Sequence, residues 1–125
     1  MDEITKIKLS GNQPAAKISD DLLKKLIIRE FDGSANTVRI KLRNVISNTS
    51  AGKNRISACI LKLANQDLIA LDDLIEKANF DSRDIIKGAE YPRCAKIGFS
   101  ELDKGLMKQI YIDDFIEYSN WLNHE

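Results

Sequence analysis

Reactive chemistry needs a nucleophile with a base, carboxylates converging in a cleft, or a metal cage. The residues that could supply these are few here. His124 is the only histidine and reads as a frayed tail residue, which removes His-based triads and His-rich metal sites. Cys59 falls on the apolar side of an expected helix, where a thiol acts as a small core residue. Cys94 follows Pro92 and Arg93 in an expected loop, with no histidine near it in sequence to activate it. There is no CxxC pair and no glycine-rich phosphate loop. The carboxylate pairs Asp20/Asp21, Asp72/Asp73 and Asp113/Asp114 are adjacent residues, and neighbours on a helix point about 100° apart, so they do not converge. The expectation is no catalytic residue, no cofactor, no metal and no enzymatic activity.

What remains is charge and its placement. Nineteen Lys and Arg balance nineteen Asp and Glu. Residues 1–62 nevertheless carry twelve basic and six acidic side chains, and residues 63–125 carry seven and thirteen. No acid occurs between Asp32 and Asp67, a span holding Arg39, Lys41, Arg43, Lys53, Arg55 and Lys62. The acidic half offers Asp67, Asp72, Asp73, Glu76, Asp81, Asp84 and Glu90. Either the halves complement each other inside one fold or simply form solvated faces, or one or both of them face an oppositely charged partner.

The elements that position these charges are helical. Apolar residues make up 43% of the chain and charged residues 30%, ordinary values for a globular protein. No apolar run approaches the roughly 20 residues that span a bilayer. The N-terminus lacks the apolar core of a signal peptide, so the expected location is the cytoplasm and no membrane partner is expected. Residues 1–17 read as a polar arm, or as an edge strand at Ile4–Leu9, and 18–125 as a single helical domain.

Ser19 is the expected N-cap of a first helix whose face is Leu22, Leu23, Leu26, Ile27 and Phe31. Ser34 would cap a second, with Val38, Leu42, Val45 and Ile46 on one side. The polar run from Ser47 to Gly52 reads as a loop. A third helix over about Lys53–Ala64 places Ile56, Cys59, Ile60 and Leu63 on one face. Asp67 would cap a fourth, with Leu68, Leu71, Leu74, Ile75 and Ala78 inward and Asp72, Asp73 and Glu76 outward. Asn79 would close it. Asp81 would open a fifth, with Asp84 in a variant of the capping box, and Tyr91-Pro92 would stop it. Beyond, Ser100 would cap a short helix, residues 109–112 read as a brief extended piece, and Asp113 would cap a last helix with Phe115, Tyr118, Ser119 and Leu122 on one side and Trp121 beside them. The fold class is mainly α: a compact bundle of five to seven short helices, with minor strands admitted near the N-terminus and at 109–112.

Within this pattern, Leu61, Lys62, Leu63, Ala64, Asp67, Leu68, Leu71, Asp81, Arg83, Asp84, Ile85 and Ile86 form a segment LKLA-x-x-DL-x-x-L followed by D-x-RD and an apolar pair. This segment resembles a group of small uncharacterised bacterial helical proteins. The resemblance implies a bacterial helical domain and carries over no functional residue.

Two functions follow as expectations. The first is a non-enzymatic protein-binding module of the immunity or antitoxin type. It would occlude the surface of another protein, such as a basic toxin domain, with Asp67, Asp72, Asp73, Glu76, Asp81 and Asp84. Tyr118 and Trp121 would serve as aromatic anchors, or would simply seal the core. The alternative is a nucleic-acid binder: helices two and three as a loose helix-turn-helix, with Arg39, Lys41, Arg43, Lys53 and Arg55 on phosphates. A sequence pI of about 6.6 weighs against strong nonspecific binding.

Overall fold

The computed structural model describes residues 17–97 and 104–124, with side chains at all of these except 94, 95, 97, 104–108 and 111. The expected arm and edge strand, the thiol of Cys94 and the cap at Ser100 lie outside the described residues. The chain is mainly α-helical, and its helices are α1 (Asp20–Glu30), α2 (Ala35–Leu42), α3 (Ser50–Ala64), α4 (Leu68–Phe80), α5 (Ser82–Glu90), α6 (Pro92–Ile97) and α7 (Lys104–Asn123). No strand occurs among the described residues. The chain divides into two compact units, Ala16–Ala89 and the span Glu90–Glu125. That division falls inside the stretch 18–125 expected as one domain.

In the first unit, α3 is the central element. Ile56, Ser57, Ala58, Cys59, Ile60, Leu61 and Ala64 are all buried on it. Six consecutive buried residues cover every side of a helix, because each step turns the side chain by about 100°. The expected stripe of Ile56, Cys59, Ile60 and Leu63, of which Leu63 is half-buried, is therefore only part of what α3 buries. Ser57, Ala58 and Ala64 are small enough for neighbouring helices to approach it closely. The helices α1 and α4 pack on α3, and α2 packs on α1 and α4. Full burial of side chains such as Ile60 and Leu61 stabilises the unit by about 1.5–3 kcal/mol each.

Local chemistry sets most helix starts. Ser19 Oγ accepts from Leu22 N at 3.1 Å. Thr49 Oγ1 accepts from Gly52 N at 2.9 Å, so α3 starts at Ser50 and the expected loop is three residues shorter. Asp67 Oδ1 accepts from Ile69 N at 2.9 Å, as its position before α4 leads one to expect. Ser34 precedes α2 but makes no side-chain capping bond. Between α3 and α4 the backbone reverses through left-handed conformations at Asn65 (φ 49°) and Gln66 (φ 68°). Asparagine tolerates this region well, whereas glutamine adopts it rarely.

Asn79 does not close α4. Its amide instead bridges to the segment after α2, with Oδ1 accepting from Ile46 N and Nδ2 donating to Asn44 O, both at 2.9 Å. Asp81 follows the helix, and its N–H donates to Lys77 O at 2.9 Å. Ile46, expected inward, is 72% exposed, while Val45 beside it is buried.

In the second unit, Pro92 opens α6, a first-turn position that suits its missing N–H. This helix takes the place of the expected loop. The extended piece expected at 109–112 is also helical, and Asp113 lies inside α7. Strand propensity is a weak preference that side-chain packing overrides. Ile110, Asp114 and Tyr118, spaced i, i+4, i+8, are all buried and follow one another along the same side of α7. Asp113 caps nothing; its Oδ1 accepts from Gln109 Nε2 at 3.0 Å. Asp114 is fully buried and its carboxylate accepts from the backbone N–H (3.3 Å) and Nη1 (3.0 Å) of Arg93, tying α6 to α7. Arg93 also pairs with Glu117.

No helix among the described residues is long and apolar enough to cross a membrane.

Candidate protein-binding face

The amphipathic character of α4 divides it into distinct sides. Leu71, Ile75 and Ala78 are buried toward the core. Asp72 and Asn79, two turns apart, face α2 and the segment that follows it: Lys41 Nζ donates to both oxygens of Asp72 at 2.8 and 3.0 Å, and Asn79 bonds Asn44 and Ile46. On the outward side, Ile69, Asp73, Glu76 and Phe80 follow one another at spacings of four, three and four residues. Ile69 is 83% exposed and Phe80 is 94% exposed. Leaving both in water forfeits the burial that normally holds such side chains inside.

A shallow groove of about 470 Å³ joins this side to α5, lined by Asp73, Glu76, Lys77, Phe80, Asp81, Asp84 and Ile85. Four carboxylates thus face one concavity. Asp73 shares an exposed i,i+4 ion pair with Lys77 at 2.9 Å. Asp81 takes a bidentate pair from Arg83 (Nε 3.0 Å, Nη2 2.9 Å) and accepts the Arg83 backbone N–H at 3.0 Å, which makes it the cap of α5. The side-chain hydrogen bonds from Arg83, and then its backbone N–H, lower the Asp81 pKa from 3.8 to about 2. The capping box does not form, because the Asp81 N–H that Asp84 would accept is bonded to Lys77 O. Glu76 and Asp84 make no side-chain hydrogen bond or ion pair among the described residues, and both are exposed.

Of the acidic residues singled out in the sequence, Asp73, Glu76, Asp81 and Asp84 come together in the groove. Asp67 is engaged as the cap of α4, Asp72 is paired with Lys41, and Glu90 is buried. Tyr118 is also buried, and its ring stacks on Trp121 at 5.8 Å between centroids. Tyr118 thus fills the interior rather than standing out as an anchor. Ile69 and Phe80 are not among the residues expected from the sequence to meet a partner. Their signal was available: two large apolar residues on the same side of α4 as Asp73 and Glu76, opposite the buried stripe.

The basic residues do not form one face. Lys41 is turned to Asp72, and Lys53 Nζ donates to Arg43 O at 3.0 Å. Arg39 and Arg43 are exposed, whereas Arg55 is half-buried. With Ile56 to Leu61 all buried, α3 has no free flank over that stretch to lay in a major groove.

Chemically, the groove offers dispersed negative charge beside an aromatic ring. No three His, Cys, Asp or Glu side chains among the described residues are placed to share a metal ion. Comparison with protein families, curated proteins and solved structures finds no match to this chain.

Proposed function

We propose that this chain is a non-enzymatic protein-binding module that covers a basic surface of another protein, in the manner of a small bacterial immunity or antitoxin protein acting in the cytoplasm. The observation that carries the reading is the groove between the outward side of α4 and α5, where Glu76 and Asp84 make no side-chain hydrogen bond or ion pair among the described residues and stand near a 94% exposed Phe80. Exposed surface charges contribute little to folding, and an exposed phenylalanine contributes less than a buried one. Both become useful when a partner desolvates them.

A salt-sensitive complex with a basic protein, lost on Glu76→Lys with Asp84→Lys and kept on Arg39→Glu with Arg43→Glu, is the expected result. The nucleic-acid alternative rests on Arg39 and Arg43, exposed near the end of α2. It requires the opposite pattern: heparin retention that is lost when those two arginines are reversed and unaffected by the acidic changes. Circular dichroism of each variant checks that the fold is kept.

A further inference from the structure

Resting on the acidic-face reading above, we infer that α4 receives its partner helix against helix. Ile69, Asp73, Glu76 and Phe80 are the seam, and the partner segment is a basic amphipathic helix. The four-three-four spacing is that of the residues that meet a second helix in a coiled coil, about three turns or ~16 Å from end to end. The other sides of α4 are engaged, Leu71, Ile75 and Ala78 in the core and Asp72 and Asn79 toward α2. The seam is apolar at both ends and acidic in the middle. A complementary helix therefore carries apolar residues at the outer two seam positions and Lys or Arg at the inner two.

Charge decides between a foreign helix and a second copy. Two copies docked symmetrically would set Asp73 and Glu76 against the same carboxylates, and like charges at helix–helix contacts repel. Strand addition needs an exposed sheet edge, and the described residues contain no strand. The ion pair of Lys77 with Asp73 is exposed and weak, so a partner lysine displaces it easily.

The probe is a synthetic helical peptide of about five turns with Leu, Lys, Lys and Leu at the seam positions. Binding to the full chain is read by fluorescence anisotropy against two controls: a peptide of the same composition broken by prolines, and a peptide with Glu at the inner positions. The helical basic peptide should bind about tenfold or more tighter than the broken one, the Glu peptide should not bind, and Ile69→Asp or Phe80→Asp should each weaken binding about tenfold. Asp73→Leu with Glu76→Leu should convert the chain to a self-associating form in sedimentation. Equal binding of the two basic peptides, lost on Glu76→Lys alone, overturns helix docking and leaves the acidic-face reading standing. Failure of both basic peptides to bind overturns the two together. A wild-type dimer abolished by Phe80→Asp makes the occupant a second copy and overturns the inference.

Discussion

Asp81 stands at the junction of α4 and α5. Its backbone N–H closes α4 on Lys77, and its side chain opens α5 by accepting from Arg83. Arg83 holds the Asp81 pKa near 2, below the ordinary 3.8. A carboxyl whose pKa is lowered on folding stabilises the folded state above its unfolded pKa, and loses that contribution as pH falls through the folded value. The window here is from about pH 4 down to about pH 2. Carbon-detected NMR titration should place Asp81 near 2 in the wild type and return it toward 3.8 in Arg83→Gln. An unchanged midpoint in that variant would show that Arg83 is not the cause. The pair is solvent-exposed, so its contribution to stability is small and screened by salt. The role of Asp81 as a cap was legible because capping is local: an oxygen two or three residues ahead of an N–H needs only its own turn. The partner of Asp72 was not, since Lys41 lies 31 residues away and only the packing of α2 on α4 brings it within reach.

At the scale of elements, the same distinction separates what the sequence settled from what it left open. The starts of α1 and α4 follow from Ser19 and Asp67 with the apolar period behind them. The start of α3 lies earlier than expected because Ser50, Ala51 and Gly52 read as part of a loop, yet Thr49 supplies a cap that makes them a first turn. Residues 109–112 are helical rather than extended because β-branched side chains favour strands only where packing against a neighbouring strand rewards it. Two glycines test these assignments. A Cβ at Gly88, inside α5, would meet only Leu63 methyls at 3.7 Å, an ordinary contact. Gly88→Ala should therefore raise stability by about 0.5–1 kcal/mol, the usual cost of glycine in a helix interior. A Cβ at Gly52 would come within 2.5 Å of Ser47 Oγ and 3.0 Å of Thr49 Oγ1, the oxygen that caps the helix. Gly52→Ala should show no such gain. Urea denaturation of the two variants checks both, and equal stabilisation at the two positions would mean that the Thr49 cap is not the feature that starts α3.

For the molecule as a whole, the charge segregated along the sequence is divided between the interior contacts of the fold and its surface. Part of it is consumed internally, as in Lys41 with Asp72, and part is left on the outward side of α4. That division has meaning only if α4 is held firmly from behind, and α3 is what holds it. Leu61 is fully buried on α3, and the surrounding unit has no comparable buried apolar helix. Within Ala16–Ala89 the amides of 56–64 should exchange most slowly with solvent, since they open only when the unit does. Leu61→Ala should cost about 2–5 kcal/mol and speed exchange throughout that unit, because the cavity it leaves is at its centre. Phe80→Ala should leave stability within about 0.5 kcal/mol of the wild type, as expected for a side chain that folding does not bury. The comparison bears directly on function. If Phe80→Ala proved as damaging as Leu61→Ala, the ring would be part of the core, and the outward side of α4 would have no aromatic group to offer a partner. If it proved neutral for folding while weakening the complex, the ring would serve recognition, and the face would be what a buried α3 exists to support.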